Sequence, residues 1–268
     1  MIDVGTNDVN AVERSIRAVT AIRQVVHAIW AVSRAQLPLV EQAASAAATY
    51  QRWVDETVER LAGPPQALEA AATLSVVFGP ERPYSSALAR RIIEAMPAGD
   101  LGIVGERLAE AVRQIPELDA RVRFRSPGSV THDDLHDVAL AVARAVLQHG
   151  RDSAVVIVHV VDDDARLAVV PLLTAREPVD RPPETFSALG DVVATAITEA
   201  TKGRLAVAAA ETLRAELRAR IAAADAARRA CDDRRAELDR LLQSGRRETI
   251  TRELLEIVAG REASWPTA

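Results

Sequence analysis

The sequence predicts an α/β protein with long helices. Its N- and C-terminal helices are expected to form an antiparallel two-helix coiled coil, and the middle of the chain a separate α/β domain. Three observations carry this prediction. Helical periodicity runs unbroken from about Phe186 to Gly260, a second helical stretch runs from about Asn10 to Ala62, and between them short apolar runs alternate with helical ones. The expected divisions are residues 1–63, 64–183 and 184–268.

In the first helix Val9, Val12, Ile16, Val19, Ile22, Val26 and Ile29 step by three and four. That spacing lines one apolar stripe along one face, and the stripe needs a partner. Thr6 or Asp8 is suited to cap the start, and Gly63-Pro64-Pro65 to end the helix. Pro38 falls mid-helix, where it removes a hydrogen bond and is expected to bend or interrupt the rod.

In the middle, strands are expected at Leu74 to Phe78, Leu101 to Val104, Arg121 to Arg125, Ala154 to Val161 and Leu167 to Leu172. Helices are expected at Ser85 to Met96, Glu106 to Ile115 and Asp133 to Gln148. Such alternation implies a largely parallel, Rossmann-like sheet. Asp162-Asp163-Asp164 suits a hairpin turn, which would make one edge antiparallel. Pro178 to Pro183 reads as the linker into the last helix.

At ~1.5 Å per residue, that last helix is on the order of 110 Å long, too long for its own chain to bury. Leu217, Ala224, Cys231 and Leu238 recur every seven residues, with Leu213, Ile221, Ala227 and Leu241 beside them, which is a coiled-coil seam. The seam is rich in Ala, so a neighbouring helix can come close while each contact buries little area.

A chain of 268 residues fits one large or two modest domains. Only 3% of residues are aromatic although 49% are apolar, which favours closely packed helices over a bulky pocket-forming core. A net charge of −5 gives no case for nucleic-acid binding, because there is no excess of basic groups to neutralise phosphates. Cys231 is the single cysteine; it cannot close an internal disulfide and reads as a small hydrophobe in a reducing compartment. No early apolar run marks a secretory signal, and no stretch approaches the ~20 apolar residues of a spanning helix. Membrane contact is therefore expected through partners, without direct insertion.

An α/β unit invites a nucleotide, and Gly79-Pro80-Glu81-Arg82-Pro83 follows the first strand where a phosphate loop would sit. The glycines do not fit a dinucleotide fingerprint, two prolines remove donors, and no Gly-Lys-Ser/Thr follows. His132 and His136, four apart on an expected helix beside Asp133 and Asp137, have a zinc-like spacing, but no third ligand is evident. The other reading is a helix start capped by Thr131, with Asp133 and Asp134 favouring its positive end. Asp162 to Asp164 could hold Mg²⁺, but an acidic hairpin tip reads better as a solvated turn. His27, His149 and His159 are isolated, and Ser85-Ser86 lacks a histidine partner at any recognisable spacing. The expectation is no catalytic residue, no cofactor and no metal.

The end of the chain carries Arg246, Ile250-Thr251, Glu253-Leu254 and Glu256-Ile257-Val258 in one register. This resembles the gamma subunit of rotary F-type ATP synthases, which ends in a helix with Arg-Gln, Ile-Thr, Glu-Leu or Glu-Ile and a final Glu-Ile-Val. Counting back without a gap, Glu216 and Arg220 fall on the acidic and basic positions of that family's Glu-Gln-Ala-Ala-Arg run. At the other end the match is architectural: Val25 to Ser33 keeps Ala28 and Val32 of a family segment but not its methionines or lysines. The family's Gly-Leu-Cys-Gly-Gly turn is replaced by Pro83-Tyr84-Ser85-Ser86-Ala87, after a retained Glu81-Arg82 pair.

The resemblance implies a divergent central-stalk rotor subunit that couples proton or sodium flow through a membrane rotor to cycling of a catalytic ring. Its implied partners are the alpha and beta subunits, an epsilon subunit and the membrane c-ring, on the cytoplasmic face of the membrane. Implied subunit contacts are Arg246, Arg247, Thr251, Arg252, Glu253, Glu216 and Arg220. Arg246, Arg247 and Arg252 are suited to the acidic loops of beta subunits through forked contacts with carboxylates, and the family's Gln is Arg247 here. Arginines offsetting the helix dipole are the plainer reading. Two alternatives stay open: a gamma-derived protein with a structural or regulatory role that no longer rotates, and a small α/β nucleotide-binding protein with a helical arm.

Overall fold

A computed structural model of the chain describes residues 4–66, 73–150, 153–161, 166–172, 175–176 and 183–263. The first helix, α1, is Val4–Ala62. It starts before Asn10, so Thr6 and Asp8 lie inside the helix and not at its cap, and it is continuous through Pro38. Gly63 ends it as expected. Its φ of +83° is the left-handed conformation open to glycine, and its N–H donates to the Glu59 carbonyl at 2.8 Å. The last helix, α6, is Leu189–Ala263, 75 residues long.

The chain divides into two contact-dense units. One joins the part of α1 up to Ala31 to the part of α6 from Ala222 on. Here the helices run antiparallel, since Glu13 pairs with Arg246 at 2.8 Å and Arg23 with Asp232 at 2.6 Å. Val26, Ala224 and Leu238 are buried, whereas Ile22 is 55% exposed and Leu241 50% exposed, outside the seam they were expected to line. Two helices cover only a narrow strip of each other, so positions flanking that strip stay in water however apolar they are.

The second unit is Val32–Ile221. Its sheet contains β2 (Thr73–Phe78), β3 (Asp100–Val104), β4 (Val122–Ser126), β5 (Ala154–Val160) and β6 (Leu167–Pro171). Their order is β4-β3-β2-β5-β6. The first four are parallel, and β6 runs antiparallel to β5 with Val160 opposite Leu167. That is the antiparallel edge expected from sequence, although residues 162–165 and 177–182, which include the aspartate turn and most of the expected linker, lie outside the described residues. The short strands β1 (Pro65–Gln66) and β7 (Ala175–Arg176) pair antiparallel, which no sequence pattern announced.

Helices cover both faces, which is why the central strands are near-continuous apolar runs. On one face Leu74, Val76 and Phe78 pack with α5 (Leu135–His149) and with Val40 of α1 and Leu205, Leu213 and Leu217 of α6. On the other, Val77, Leu101 and Ile103 pack with α2 (Ser86–Glu94) and α3 (Glu106–Arg113), through Ile92 and Leu108. A short turn of helix, α4 (Pro116–Asp119), precedes β4.

Candidate functional site

The last turns of α6 are unusual for what they leave in water. Residues 250–259 are all exposed, among them Ile250, Leu254, Leu255, Ile257 and Val258 at 54–66%. At ~100° per residue these large apolar side chains fall on one side of the helix, with Arg252, Glu253 and Glu256 on the other, and an apolar stripe of that kind left in water is the mark of an interaction surface. Of the polar residues expected there as subunit contacts, Arg246 reaches Glu13 and keeps most of its side chain in solvent. Arg247, Arg252 and Glu253 are exposed, and the Thr251 hydroxyl donates to the Arg247 carbonyl at 2.9 Å.

Glu216 and Arg220 are placed otherwise. They are 1% and 7% exposed, and their hydrogen bonds stay within the chain. One Glu216 oxygen accepts from the backbone N–H of Glu81 at 2.7 Å, the other from Arg82 Nε at 3.0 Å. Arg220 donates to the Pro83 carbonyl at 2.8 Å and to the Ser33 hydroxyl at 3.4 Å. Burial pushes the Glu216 carboxyl up from its ordinary value, against the pull of the Glu81 N–H and Arg82. Burial, with the nearby charge of Arg82, lowers Arg220.

The loop they grip makes further hydrogen bonds of its own. The Glu81 carboxylate accepts from the N–H of Glu106 at 2.8 Å, at the first residue of α3, and from the N–H of Gly128 at 2.7 Å. An internal anion thus takes the N–H group at the start of α3, of the kind a phosphate would use there, and ties it to the loop after β4. Gly79 and Gly105 serve packing: a Cβ on Gly79 would sit 2.5 Å from Leu108 Cδ2, and one on Gly105 would sit 2.4 Å from the Gly79 carbonyl oxygen. Gly105 also has a φ of +111°. Glu81, Arg82 and Ser33 were not foreseen as partners of α6; the retained Glu81-Arg82 pair was the one available signal.

His132 precedes α5, so it does not share a helical face with His136, and its ring lies 3.3 Å from Asp133. Asp134 stands at the N-terminal boundary of α5, and its carboxylate accepts from the N–H of Val130 and Thr131, turning the preceding loop. His159 is a buried residue of β5, its Nδ1 3.1 Å from the Val160 carbonyl. Burial lowers its pKa, the behaviour of a core histidine. Among the described residues, no helix is long and apolar enough to cross a membrane.

A family model described as ATP synthase matches residues 8–263. Among solved structures, the chain is similar to a rotor chain of the Euglena gracilis mitochondrial ATP synthase in rotational state 1. Identity is 14% and the TM-score 0.67, over 91% of this chain and 99% of that one. It is also similar to a chain from the central stalk and c-ring of the Tetrahymena thermophila mitochondrial ATP synthase. There identity is 14% and the TM-score 0.52, over 76% of this chain and 99% of that one. No curated protein matches the sequence.

Proposed function

The chain belongs to the gamma subunit family of ATP synthases, and on that premise we propose that it is the central-stalk rotor subunit of an F-type enzyme. It couples proton or sodium flow through a membrane c-ring to conformational cycling of a catalytic ring of three alpha and three beta subunits. An asymmetric shaft presents a different face to each catalytic site and biases each toward a different nucleotide state. ATP chemistry belongs to the ring, and this chain needs no catalytic residue. The observation that carries the reading is the exposed apolar end of α6, Ile250 to Val258, which needs a collar. Arg246, Arg247, Thr251, Arg252 and Glu253 are then the polar contacts around that collar. The α/β layer seats the chain on the c-ring and an epsilon subunit, and the complex is peripheral on the cytoplasmic face of the membrane.

The test is assembly. Purified chain mixed with an alpha–beta ring is expected to co-elute as one complex and to change the ring's rate of ATP hydrolysis. Separate elution with unchanged turnover overturns the proposal.

A further inference from the structure

The contact of α6 with the sheet is made largely by apolar side chains, many of them alanine, and apolar contact is non-directional. It holds a helix against a sheet but does little to stop the helix rolling about its own axis. Arg204 and Arg214 of α6 each donate to one carbonyl of the layer, Leu172 at 2.8 Å and Val161 at 3.4 Å, and Glu216 and Arg220 supply the buried directional contacts. They stand one turn apart on α6 and grip opposite chemistry of one loop: Glu216 takes the Glu81 N–H and the Arg82 guanidinium, and Arg220 takes the Pro83 carbonyl.

The loop is itself tied down. The Gly79 N–H donates to Val104 of β3 at 2.9 Å, the Leu108 N–H of α3 donates to Pro80 at 3.2 Å, and the Glu81 carboxylate holds Glu106 and Gly128. Arg82 reaches Gln36 of α1 at 3.3 Å and Arg220 reaches Ser33 of the same helix. The next residue, Tyr84, has a φ of +69°, a strained conformation for a non-glycine that persists only where its surroundings enforce it.

A buried ion pair is a poor means of gaining stability, because well-packed apolar side chains of similar volume serve as well or better. What charged pairs add is direction. We propose that Glu216, Arg220 and Arg82, closed on the 79–85 loop, are positioning residues that lock α6 rotationally to the α/β layer. Turning force applied to that layer then passes into the shaft without slip. The inference rests on the central-stalk reading and adds to it the residues that carry the torque.

The experiment uses the full chain assembled with the catalytic ring and membrane sector in sealed vesicles, and reads ions moved per ATP hydrolysed. A triple variant, Glu216→Met, Arg220→Met, Arg82→Leu, keeps apolar bulk in place of the charges. It is expected to assemble and to lower that ratio at least threefold. Glu216→Gln, which keeps shape and one hydrogen bond, is expected to lower it less, and covers the case in which the triple variant does not fold. Exchange of the Glu81 amide hydrogen is expected to quicken at least tenfold in either variant. A wild-type ratio in the assembled triple variant, or in Glu216→Gln with a quickened Glu81 amide, overturns the joint and leaves the stalk reading intact. A native chain that gives no coupled transport overturns the stalk reading and the joint with it.

Discussion

Gly203 of α6 stands so close to Gln51 of α1 that a Cβ on it would lie 2.2 Å from Gln51 Oε1. The missing side chain makes room for a buried amide whose Nε2 donates to Asp55 at 2.7 Å. Asp55 in turn accepts from Arg204 at 2.5 Å, and Arg204 donates to the Leu172 carbonyl at 2.8 Å. Gly203→Ala is expected to be near neutral. The displaced atom is the far end of a flexible side chain, and Ala is better than Gly in a helix by about 1 kcal/mol. Gly203→Leu overpacks the site and is expected to cost about 1–3 kcal/mol. Urea unfolding of the three proteins checks both.

Arg82→Ala removes the guanidinium from a Glu216 side chain that is 1% exposed and leaves the carboxylate with one strong donor. Breaking a buried pair in this way costs about 3 kcal/mol. The unfolding midpoint in urea should fall with no change in the slope of the transition.

His159 gives the fold an acid-side weakness. Burial holds its folded pKa below the ordinary value, so the ring stays neutral in the fold while the unfolded chain takes up a proton below about pH 6.5. Its contribution to stability is complete above that pH and is lost as pH falls through it towards the lower folded value. Glu216, with a raised pKa, acts in the opposite sense: its burial cost grows as pH rises above the ordinary carboxylate range. The test therefore compares wild type with His159→Asn. The difference in stability between them should shift in favour of the variant between pH 7 and pH 5 and should be flat above pH 7.

Leu254→Asp with Ile257→Asp changes side chains 57% and 66% exposed. The isolated chain should keep its stability within about 0.5 kcal/mol, as surface substitutions do. Affinity for the alpha–beta ring, read by co-elution at falling concentration, should drop at least tenfold.

Arg246 pairs with Glu13 in a solvent-exposed contact, its side chain 60% exposed. Such pairs are worth under about 1 kcal/mol. Arg246→Ala should therefore unfold at nearly the wild-type temperature, and any large loss of ring-coupled turnover belongs to its contact with a partner. Arg246→Lys, which keeps the charge without the fork, should restore only part of that turnover.

Much of the fold was legible because its signals are local. The three-and-four spacing of α1 and α6, the apolar runs of β2, β3 and β5, and Gly63 as a helix stop all act within a few residues, and apart from the early start of α1 at Val4 each element lies close to its expected bounds. The end of α6 was legible as a motif, Ile250 to Val258, but its exposure was not, because burial depends on packing. The pairing of β1 with β7 was not, because two-residue strands carry no period.

Sequence alone determined that Glu216 and Arg220 share one side of a helix, because a spacing of four does so wherever the helix lies. It could not determine whether that side meets water, a partner or the chain's own loop. Only the tertiary structure decided that, by bringing Glu81 and Arg82 across 135 and 134 residues of chain to a buried Glu216. Burial and long-range pairing depend on how the layers pack, and no local window of residues holds that information.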